Sequence, residues 1–494
     1  MTLSERYRQT LSADPASAAF EVSGGWYSWG EVAQVAARLD AILNDAGVGP
    51  GRPIGLIGRN RPASSSALIG LLATGRGVAP LNPFQSPERL AAEAVSLNLS
   101  AVVGEAEDFA GDALRQAAKL AGFATIVLED ETAGGVRLVD PLTKSEQAAS
   151  GACALLMATS GTTGAPKRIP IRFDTLDSAL ADSRQVGIEF GDLDLAGPEQ
   201  TPLIQHSPMV HIAGALSVAR AGFDRRRLVM LQKFSAPAWV DAVERHRPHA
   251  VSLPPTMMRA VVNENPRPEA LSSITGVWSG ASVIDMKILR TFEERYGSVV
   301  MGSYGATEYA GMIAVGSLAA RRKYGHTKDH SVGQMRGHVA NARIIDGDGA
   351  ALPFGEVGVL EVQVHRVGPD WMRTSDLASL DEEGFLYFHG RADDAINRGG
   401  FKIVPSVIID ALRRHPSVGD VAVVAYPDER LGEVPMAAVE PKPGGATPDR
   451  IELLAFARTQ LIAYQVPKDI LVVKALPRTP SFKVDRNGVL ALFS

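Results

Sequence analysis

Cysteine is nearly absent from this sequence. Cys153 is the only cysteine among 494 residues, which excludes an internal disulfide and any zinc site built on several cysteines. A chain of this length can bury a large core without such cross-links. The lack of cysteine fits a reducing compartment, and the polar stretch MTLSERYRQTLSADP has no apolar centre of the kind found in signal peptides. We therefore expect a cytoplasmic protein.

The sequence also lacks a strong excess of positive or negative charge, and it lacks long apolar runs. The net charge is −5 and charged residues make up 21% of the chain, so the sequence has neither the basic surface typical of nucleic-acid binding nor an acidic tail. The apolar stretch ALIGLLATG ends before Arg76, far short of the roughly 20 residues that a spanning helix needs. We expect no nucleic-acid partner, no transmembrane segment, and a monomer or homodimer.

The order of periodic segments indicates an α/β fold. Helical and strand-like patterns alternate over the first part of the chain, as in βαβ units. The stretch SWGEVAQVAARLDAILNDAG predicts a helix in which Ser28 and Glu31 form a capping box, and RPIGLIG and SAVVGE predict short strands. Near the C-terminus, TPDRIELLAFARTQL predicts a helix with Thr447 as N-cap and Pro448 at its first position.

A change of composition near GRADDAINRGG predicts a domain boundary. We expect a large N-terminal domain of layered α/β sheets, residues 1–391, and a small mobile α+β domain, residues 392–494. The segment RRKYGHTKDH, Arg321 to His330, reads as a solvated basic loop.

The stretch LMATSGTTGAPKRIP predicts a loop that holds phosphate. Its glycines let backbone N–H groups approach a ligand closely, and its hydroxyl side chains and Lys167 add donors and a positive charge. The pattern differs from a Walker A loop, which ends in Gly-Lys-Ser/Thr. A polar surface turn is the simpler alternative for a Gly/Ser/Thr cluster.

Three further clusters carry groups suited to nucleotide chemistry. In GSYGATEYAG, Tyr304 can stack on a base, Thr307 can donate to phosphate and Glu308 can ligate Mg²⁺. In RTSDL, Asp376 can accept hydrogen bonds from two ribose hydroxyls. In LPRTPSFKVDRNG, the prolines place Lys483 on an extended or looped segment. A serine hydrolase is excluded because the chain has no Gly-x-Ser-x-Gly elbow.

In this order, the segments TSGTTGAPK, YGATE, RTSDL, GRADDAINRGGFKIVP and PRTPSFKVDR resemble the motifs of the adenylate-forming superfamily. This superfamily contains acyl-CoA synthetases, adenylation domains of peptide synthetases and luciferases, and the chain looks most like a carboxylate–CoA ligase over nearly its whole length. The resemblance implies ATP, Mg²⁺ and CoA as cofactors and a small carboxylic acid as substrate. It also implies two steps: acid and ATP form acyl-AMP and pyrophosphate, and a thiol then displaces AMP.

The resemblance assigns a role to each candidate residue. Lys483, Thr307 and Glu308 would be catalytic, with Glu308 also the metal ligand and Lys483 acting only in the adenylation step. The residues implied in nucleotide binding are Thr159, Ser160, Gly161, Thr162, Thr163, Gly164, Lys167, Ser279, Gly280, Ala281, Tyr304, Gly305, Asp376 and Arg391. Asp393 would be the hinge, and Gly399, Gly400 and Phe401 would line the tunnel for the pantetheine arm of CoA.

The acyl pocket is specified less closely. His211 matches a position that lines this pocket, and Trp278 and Met301 are candidates for its wall, although ordinary core packing explains these two equally well. The apolar surroundings favour an aromatic or medium-chain acid over a short dicarboxylate. Two positions depart from the family pattern: Phe482 stands where glycine usually precedes the lysine, and Gly302 replaces an amide side chain that reads adenine.

Two alternatives stay open. An acyl-AMP ligase or stand-alone adenylation enzyme would load a carrier protein instead of CoA, but the chain has no appended carrier domain. A non-catalytic homologue that binds nucleotide or acyl-CoA would explain Phe482, yet Glu308, Asp376 and Lys483 are all present.

Overall fold

The computed structural model describes residues 1–129, 135–143, 153–159, 167–191, 201–282, 284–399, 401–479 and 483–493, with the backbone alone for 187–191 and 402. The chain forms two compact units, Met1–Gly325 and His326–Ser494. Both mix helices with sheets, so the predicted α/β class is confirmed. The predicted boundary between residues 391 and 392 falls inside the second unit, between two of its sheets, and stays a prediction.

The first unit is built from helices and strands in alternation. Its described helices are α1 (Leu3–Ser12), α2 (Trp29–Asp45), α3 (Pro62–Ala73), α4 (Pro87–Ser96), α5 (Asp112–Ala121), α6 (Phe173–Gly191), α7 (Ile212–Asp224), α8 (Ala236–His246), α9 (Pro255–Glu264), α10 (Met286–Tyr296) and α11 (Leu318–Tyr324). Its described strands are β1 (Ala18–Val22), β2 (Gly25–Ser28), β3 (Pro53–Ile57), β4 (Gly77–Leu81), β5 (Ala101–Glu105), β6 (Ala124–Leu128), β7 (Val136–Asp140), β8 (Cys153–Thr159), β9 (Lys167–Arg172), β10 (Leu203–Gln205), β11 (Leu228–Met230), β12 (Ala250–Ser252), β13 (Gly276–Ser279), β14 (Val299–Ala306) and β15 (Gly311–Val315).

The second unit is richer in antiparallel strands. Its described strands are β16 (Gln334–Met335), β17 (Ala340–Ile345), β18 (Gly358–Val364), β19 (Met372–Leu380), β20 (Leu386–Arg391), β21 (Ile396–Arg398), β22 (Phe401–Ile403), β23 (Val418–Asp428), β24 (Gly432–Pro441) and β25 (Asp469–Val472). Its described helices are α12 (Pro405–Arg413), α13 (Arg450–Gln460) and α14 (Arg486–Ala491). Short 3₁₀ turns in the chain include Ala106–Phe109, Pro268–Leu271, Thr307–Tyr309 and Ala392–Asp394.

Parallel strands form the centre of the first unit. One sheet has the order β7-β6-β5-β3-β4-β8-β9, with antiparallel pairs only at its two edges. Another runs β12-β13-β14 in parallel and adds β15 antiparallel, and a third has the order β10-β11-β1-β2. Parallel sheets need cover on both faces, which explains why α3 is buried along its whole length.

The second unit contains two separate sheets. Strands β17 to β20 form an antiparallel meander, and a second sheet has the order β22-β21-β24-β23 with β25 parallel to β24. Helices α12 and α13 pack on the second sheet around Ile408, Leu412 and Leu453.

The helix termini confirm one capping prediction and contradict another. Ser28 and Glu31 form the predicted capping box at the start of α2. The predicted N-cap Thr447 is wrong, because Asp449 is the N-cap of α13 and accepts hydrogen bonds from the N–H groups of Ile451 and Glu452 at 2.8 and 3.2 Å. A carboxylate satisfies two exposed N–H groups of the first turn and favours the later start.

Arg76 is buried although it interrupts an apolar stretch of sequence. Its Nη1 contacts Asp40 Oδ1 at 2.5 Å, its Nη2 donates to Asn44 Oδ1 at 2.6 Å and its Nε donates to the Val48 carbonyl at 3.0 Å. These bonds fasten the end of α2 to the turn after α3. Because the side chain is 1% exposed, removing one charged partner would cost about 3–5 kcal/mol.

Candidate active site

Strands β8 and β9 form a hairpin that carries the predicted phosphate loop. Thr159 and Lys167 pair across its open end, where Thr159 Oγ1 donates to the Lys167 carbonyl at 3.3 Å and Lys167 is exposed. The predicted residues between them, Ser160, Gly161, Thr162, Thr163 and Gly164, lie outside the described residues. Two strands thus define where the loop begins and ends.

Arg168 anchors the base of this hairpin, a role that was not predicted. Its Nη1 donates to the carbonyls of Leu156 and Pro80 at 2.8 and 3.1 Å, and its Nη2 pairs with Glu93 of α4. The guanidinium therefore links β9 to β8, to β4 and to a helix. An arginine directly after Lys167 was the only signal available in the sequence.

The turn Thr307–Tyr309 lies against β9, with Cα atoms within 8 Å. Glu308 is exposed on this turn, and no ion pair engages it among the described residues. An accessible carboxylate oxygen is a ligand that Mg²⁺ prefers. The chemistry of Glu308 therefore fits the predicted role of a Mg²⁺ ligand.

The predicted adenine-binding segments are also neighbours. Ser279 at the end of β13 pairs with Gly302 of β14. At Gly280 an added Cβ would come within 2.5 Å of Ser303 Oγ, so the backbone at Gly280 packs directly against Ser303 of β14, the residue before Tyr304. Ala281 has φ +69°, a strained conformation for a residue other than glycine that is concentrated at functional sites.

The residues after Tyr304 are held in a tight arrangement. Gly305 could not carry a Cβ, which would lie 2.4 Å from the Gly311 carbonyl oxygen. The ring centroids of Tyr304 and Tyr309 are 6.3 Å apart at 45°. This contact helps to fix Tyr304, the predicted partner of adenine.

The predicted acyl-pocket residues lie on three elements of the first unit. His211 is half-buried at the N-terminus of α7, which packs against β15. Trp278 and Met301 pair in register on β13 and β14; the indole Nε1 donates to the Gly316 carbonyl at 3.2 Å, and Met301 is buried against Gly276 and Gly316.

His206, which is close in sequence to His211, has a structural role. Its Nε2 donates to the Ser252 carbonyl at 2.7 Å, and burial lowers the pKa of the imidazole. His206 is thus a buried side chain that favours its neutral form and is hydrogen-bonded to β12.

A surface cavity of about 460 Å³ lies at the other edge of the β12–β15 sheet. Thr275, Val299 and Arg321 are among the residues that line it, next to the points where β13 and β14 begin. The predicted site residues stand where those strands end. Ligands of parallel sheets bind at the carboxyl ends of the strands, so this cavity is separate from the candidate site.

In the second unit, Asp376 and Arg391 pair across β19 and β20. Thr374 Oγ1 accepts the backbone N–H of Asp376 at 3.0 Å and donates to the Leu360 carbonyl at 2.8 Å, which fixes the backbone of β19. Arg391 Nη2 donates to Ser375 Oγ at 2.5 Å. The two predicted ribose-binding side chains thus start from adjacent, well-anchored backbone positions.

The Arg391 side chain also pairs with the predicted hinge residue, Asp393. Its Nε and Nη2 donate to the two carboxylate oxygens of Asp393 at 2.8 and 2.6 Å. This hydrogen-bonded pair lowers the pKa of the Asp393 carboxyl and raises the pKa of the Arg391 guanidinium. Asp393 lies in the 3₁₀ turn Ala392–Asp394 between the two sheets of this unit.

Lys483 lies close to Arg391, on a short segment that pairs with the residues just before it. The Thr479 N–H donates to the Lys483 carbonyl at 2.8 Å, and Arg478 pairs with Val484. Solvent reaches the Lys483 side chain, yet the protein around it partly desolvates the ammonium. This desolvation lowers the pKa of Lys483, and the positive charge of Arg391 lowers it further. Phe482 lies outside the described residues.

The predicted pantetheine segment is fastened to a neighbouring turn. The Gly399 N–H donates to the Leu431 carbonyl at 2.8 Å, and Gly399 has φ +57°. Phe401 is exposed and stacks on Tyr464, with ring centroids 4.6 Å apart and planes 15° apart. Gly400 lies outside the described residues.

Comparison with known protein families shows which family the chain belongs to. The sequence matches the family described as AMP-binding enzyme over residues 7–369 and that described as AMP-binding enzyme C-terminal domain over residues 410–483. The chain belongs to the AMP-binding enzyme family. The predicted membership of the adenylate-forming superfamily is thereby confirmed.

Among curated relatives, this AMP-binding enzyme is 31% identical to sulfoacetate–CoA ligase from Cupriavidus necator, over 95% of this chain and 93% of the relative. It is 28% identical to indoleacetate–CoA ligase from Aromatoleum aromaticum, over 100% and 98%. The fold matches ATP-bound MatB from Rhodopseudomonas palustris with a TM-score of 0.83 at 22% identity, covering 100% and 99% of the chains. The protein is an AMP-forming enzyme most like a carboxylate–CoA ligase.

No helix in the described part of this AMP-binding enzyme is both long and apolar enough to cross a bilayer.

Proposed function

We propose that this enzyme is an ATP-dependent carboxylate–CoA ligase that acts through an acyl-AMP intermediate. The observation that carries the proposal is the clustering of the motif residues within each unit. Strand β9 of the phosphate hairpin lies beside the turn that carries Glu308, and Asp376, Arg391 and Lys483 are grouped in the second unit. Family membership supplies the ATP chemistry.

In the first half-reaction, a carboxylate oxygen of the acid attacks the α-phosphorus of ATP. The bond from this phosphorus to the bridging oxygen breaks, and pyrophosphate leaves. Two anions must approach each other, so positive charge and hydrogen-bond donors around them lower the barrier. Lys167, Thr159 and the loop between them would hold the β- and γ-phosphates, and Lys483 would bridge the carboxylate and the nucleotide.

Mg²⁺, held through Glu308, would neutralise charge on the phosphates. Thr307 would donate to phosphate beside it. Tyr304 would stack on adenine, with the backbone of Ser279–Ala281 on the other face, and Asp376 would accept hydrogen bonds from the ribose hydroxyls.

In the second half-reaction, the CoA thiol loses its proton to solvent and its sulfur attacks the acyl carbonyl carbon. The carbon–oxygen bond to the phosphate breaks, and AMP leaves with that oxygen. Gly399, Gly400 and Phe401 would line the path of the pantetheine arm. The exchange of faces at Asp393, between residues 1–391 and 392–494, would bring this segment to the site in place of Lys483.

We propose an aromatic or medium-chain acid as the substrate. Trp278 is half-buried and offers apolar surface, Met301 is buried beside it in the sheet, and His211 adds one polar edge. The names of the relatives span an aromatic acid, indoleacetate, and a small acid with a second anionic group, sulfoacetate. The apolar residues favour the first kind.

The test is pyrophosphate release across a panel of carboxylic acids, with and without CoA, together with mass detection of the thioester. The panel includes arylacetates, cinnamates, C6–C10 fatty acids, malonate and sulfoacetate. We expect acid-dependent pyrophosphate release and a CoA thioester with an aromatic or medium-chain acid. Thioester on a carrier protein but never on CoA would favour the acyl-AMP ligase alternative. Turnover confined to malonate or sulfoacetate would overturn the assignment of the acid.

A further inference from the structure

An ion pair joins the segment that carries Lys483 to the predicted hinge turn. The guanidinium of Arg486, at the start of α14, donates through Nη1 and Nη2 to the two carboxylate oxygens of Asp394. The Asp394 side chain is 7% exposed, whereas Arg486 is 47% exposed. A bidentate pair of this kind fixes both distance and orientation.

The short stretch from Lys483 to Arg486 is hydrogen-bonded to the residues that precede it, Pro477 and Thr479. The Lys483 carbonyl accepts the Thr479 N–H at 2.8 Å, and the Asp485 N–H donates to the Pro477 carbonyl at 2.9 Å. Asp485 also caps α14 by accepting the Gly488 N–H at 3.2 Å. A shift of Arg486 would therefore be transmitted to the backbone of Lys483 instead of being absorbed by a loose loop.

The other side of this segment is tied to the β23–β24 sheet. Arg478 Nη2 donates to Asp420 Oδ2 at 2.7 Å, and Arg413 Nη2 donates to Asp420 Oδ1 at 2.8 Å. Asp420 is 3% exposed. The lysine segment is thus held at two places, one on the sheet and one on the hinge turn.

Arg391 connects this arrangement to the nucleotide-binding residues. It stands opposite Asp376 in the strand pairing, and its Nε is 3.9 Å from Asp394 Oδ2. The Asp394 carboxylate therefore lies close to both Arg391 and Arg486, one on each side of the predicted hinge.

We propose that Arg486 and Asp394 are positioning residues that hold Lys483 in place for the adenylation step. The inference rests on the proposed role of Lys483 in that step. Exposed ion pairs usually contribute little to stability, but here one partner is buried and the other is three residues from the reacting ammonium. Loss of the pair would displace that ammonium, and a displacement of about 1 Å can cost on the order of 10²-fold in rate.

The experiment compares Arg486→Ala, Arg486→Lys and the exchanged pair Asp394→Arg/Arg486→Asp. Adenylation is followed by acid-dependent exchange of labelled pyrophosphate into ATP, with an acid identified in the panel. Thioester formation is followed separately from the corresponding synthetic acyl-AMP and CoA. Thermal unfolding of each variant is recorded at the same time. Arg450→Ala is the matched control, because Arg450 is 57% exposed and pairs with Asp469 in the same unit, away from the lysine segment.

We expect Arg486→Ala to lower adenylation by about 10- to 100-fold and to leave thioester formation within about two-fold of the wild type. Arg486→Lys keeps the charge without the bidentate geometry and should fall between. The exchanged pair should recover part of the loss, and Arg450→Ala should change neither step.

Unchanged adenylation in Arg486→Ala, or equal losses in both steps, would overturn the proposal, since equal losses indicate a purely structural pair. Failure of the proposed function is distinguishable. A wild-type enzyme that lacks both half-reactions, or a Lys483→Ala variant that adenylates normally, refutes the role of the lysine itself.

Discussion

At the scale of single residues, the proposed mechanism depends on where charge is placed. Lys483 is the cation assigned to the first half-reaction, and Glu308 is the anion assigned to the metal. Among the described residues, neither side chain forms an ion pair. Both charges are therefore available to bind a substrate or a metal ion.

Removal of the lysine should separate the two half-reactions. Lys483→Ala takes away one preorganised electrostatic contact, and such a loss typically costs about 10²–10³ in rate. We expect adenylation measured by pyrophosphate exchange to fall by this factor, because only that step joins two anions. Conversion of synthetic acyl-AMP and CoA to thioester should stay close to the wild-type rate. Normal pyrophosphate exchange in this variant would show that Lys483 is only a surface residue.

The lowered pKa of Lys483 gives a second prediction. A lysine whose pKa lies below its ordinary value loses its positive charge at a lower pH than a free lysine, so adenylation should decline on the alkaline side below about pH 10.4. Lys483→Arg keeps the charge to a much higher pH. The pH profile of pyrophosphate exchange should thus lose this alkaline decline in the variant. The same decline in both enzymes would assign it to another group.

Glu308 provides a test of the metal. Glu308→Gln keeps the size of the side chain but removes the anionic ligand, so we expect turnover to fall at least about 10²-fold and the Mg²⁺ concentration needed for half-maximal activity to rise. The melting temperature should not change, because the carboxylate is exposed and makes no ion pair among the described residues. Full activity at unchanged Mg²⁺ dependence would refute the assignment.

At the scale of elements, the sequence predicted what local chemistry determines. The capping box of α2 and the strands β3 and β5 follow from hydrophobic period and short-range hydrogen bonding, and the structure contains them. The start of α13 was misplaced because two capping candidates, Thr447 and Asp449, lie two residues apart, and the carboxylate makes the stronger cap.

Other features could not be predicted because they depend on contacts distant in sequence. The sequence predicts a loop that begins at Arg321, but Arg321 to Tyr324 lie in α11, where Ser317 caps the helix and Arg321 pairs with Glu293 of α10. The anchoring of Arg168 by Glu93 and the pairing of Arg486 with Asp394 join residues 75 and 92 positions apart. No local pattern of charge indicates such partners.

The hinge prediction belongs at this scale. Asp393 lies in a 3₁₀ turn, whose φ values near −60° are those that proline imposes. Asp393→Pro should therefore preserve the conformer in which Lys483 stands near Arg391 and block rotation out of it. We expect pyrophosphate exchange to survive and thioester formation to fail.

The matched control is Asp393→Ala, which removes the ion pair with Arg391 but leaves the backbone free to rotate. This variant should retain both half-reactions to a greater extent than the proline variant. Equal loss of both half-reactions in Asp393→Pro would indicate misfolding and would leave the hinge without support.

At the scale of the whole molecule, the site residues are divided between the two units. The phosphate hairpin, the adenine segments and Glu308 belong to Met1–Gly325, while Asp376, Arg391, Asp393 and Lys483 belong to His326–Ser494. This division does not coincide with the proposed hinge, because Asp376 and Arg391 precede Asp393 whereas Lys483 follows it. In the proposed mechanism, the residues after Asp393 would serve one half-reaction and be exchanged for others in the next. The acyl-AMP intermediate is the central element of the proposed mechanism.

Oxygen-isotope transfer tests this claim most directly. The acid that the panel identifies is labelled with ¹⁸O in both carboxylate oxygens and turned over with ATP and CoA, and the products are analysed by mass spectrometry. Attack of the carboxylate on the α-phosphorus predicts one ¹⁸O in AMP, one in the thioester and none in pyrophosphate. Label in inorganic phosphate, or AMP without ¹⁸O, would contradict an acyl-AMP intermediate and with it the mechanism assigned to these residues.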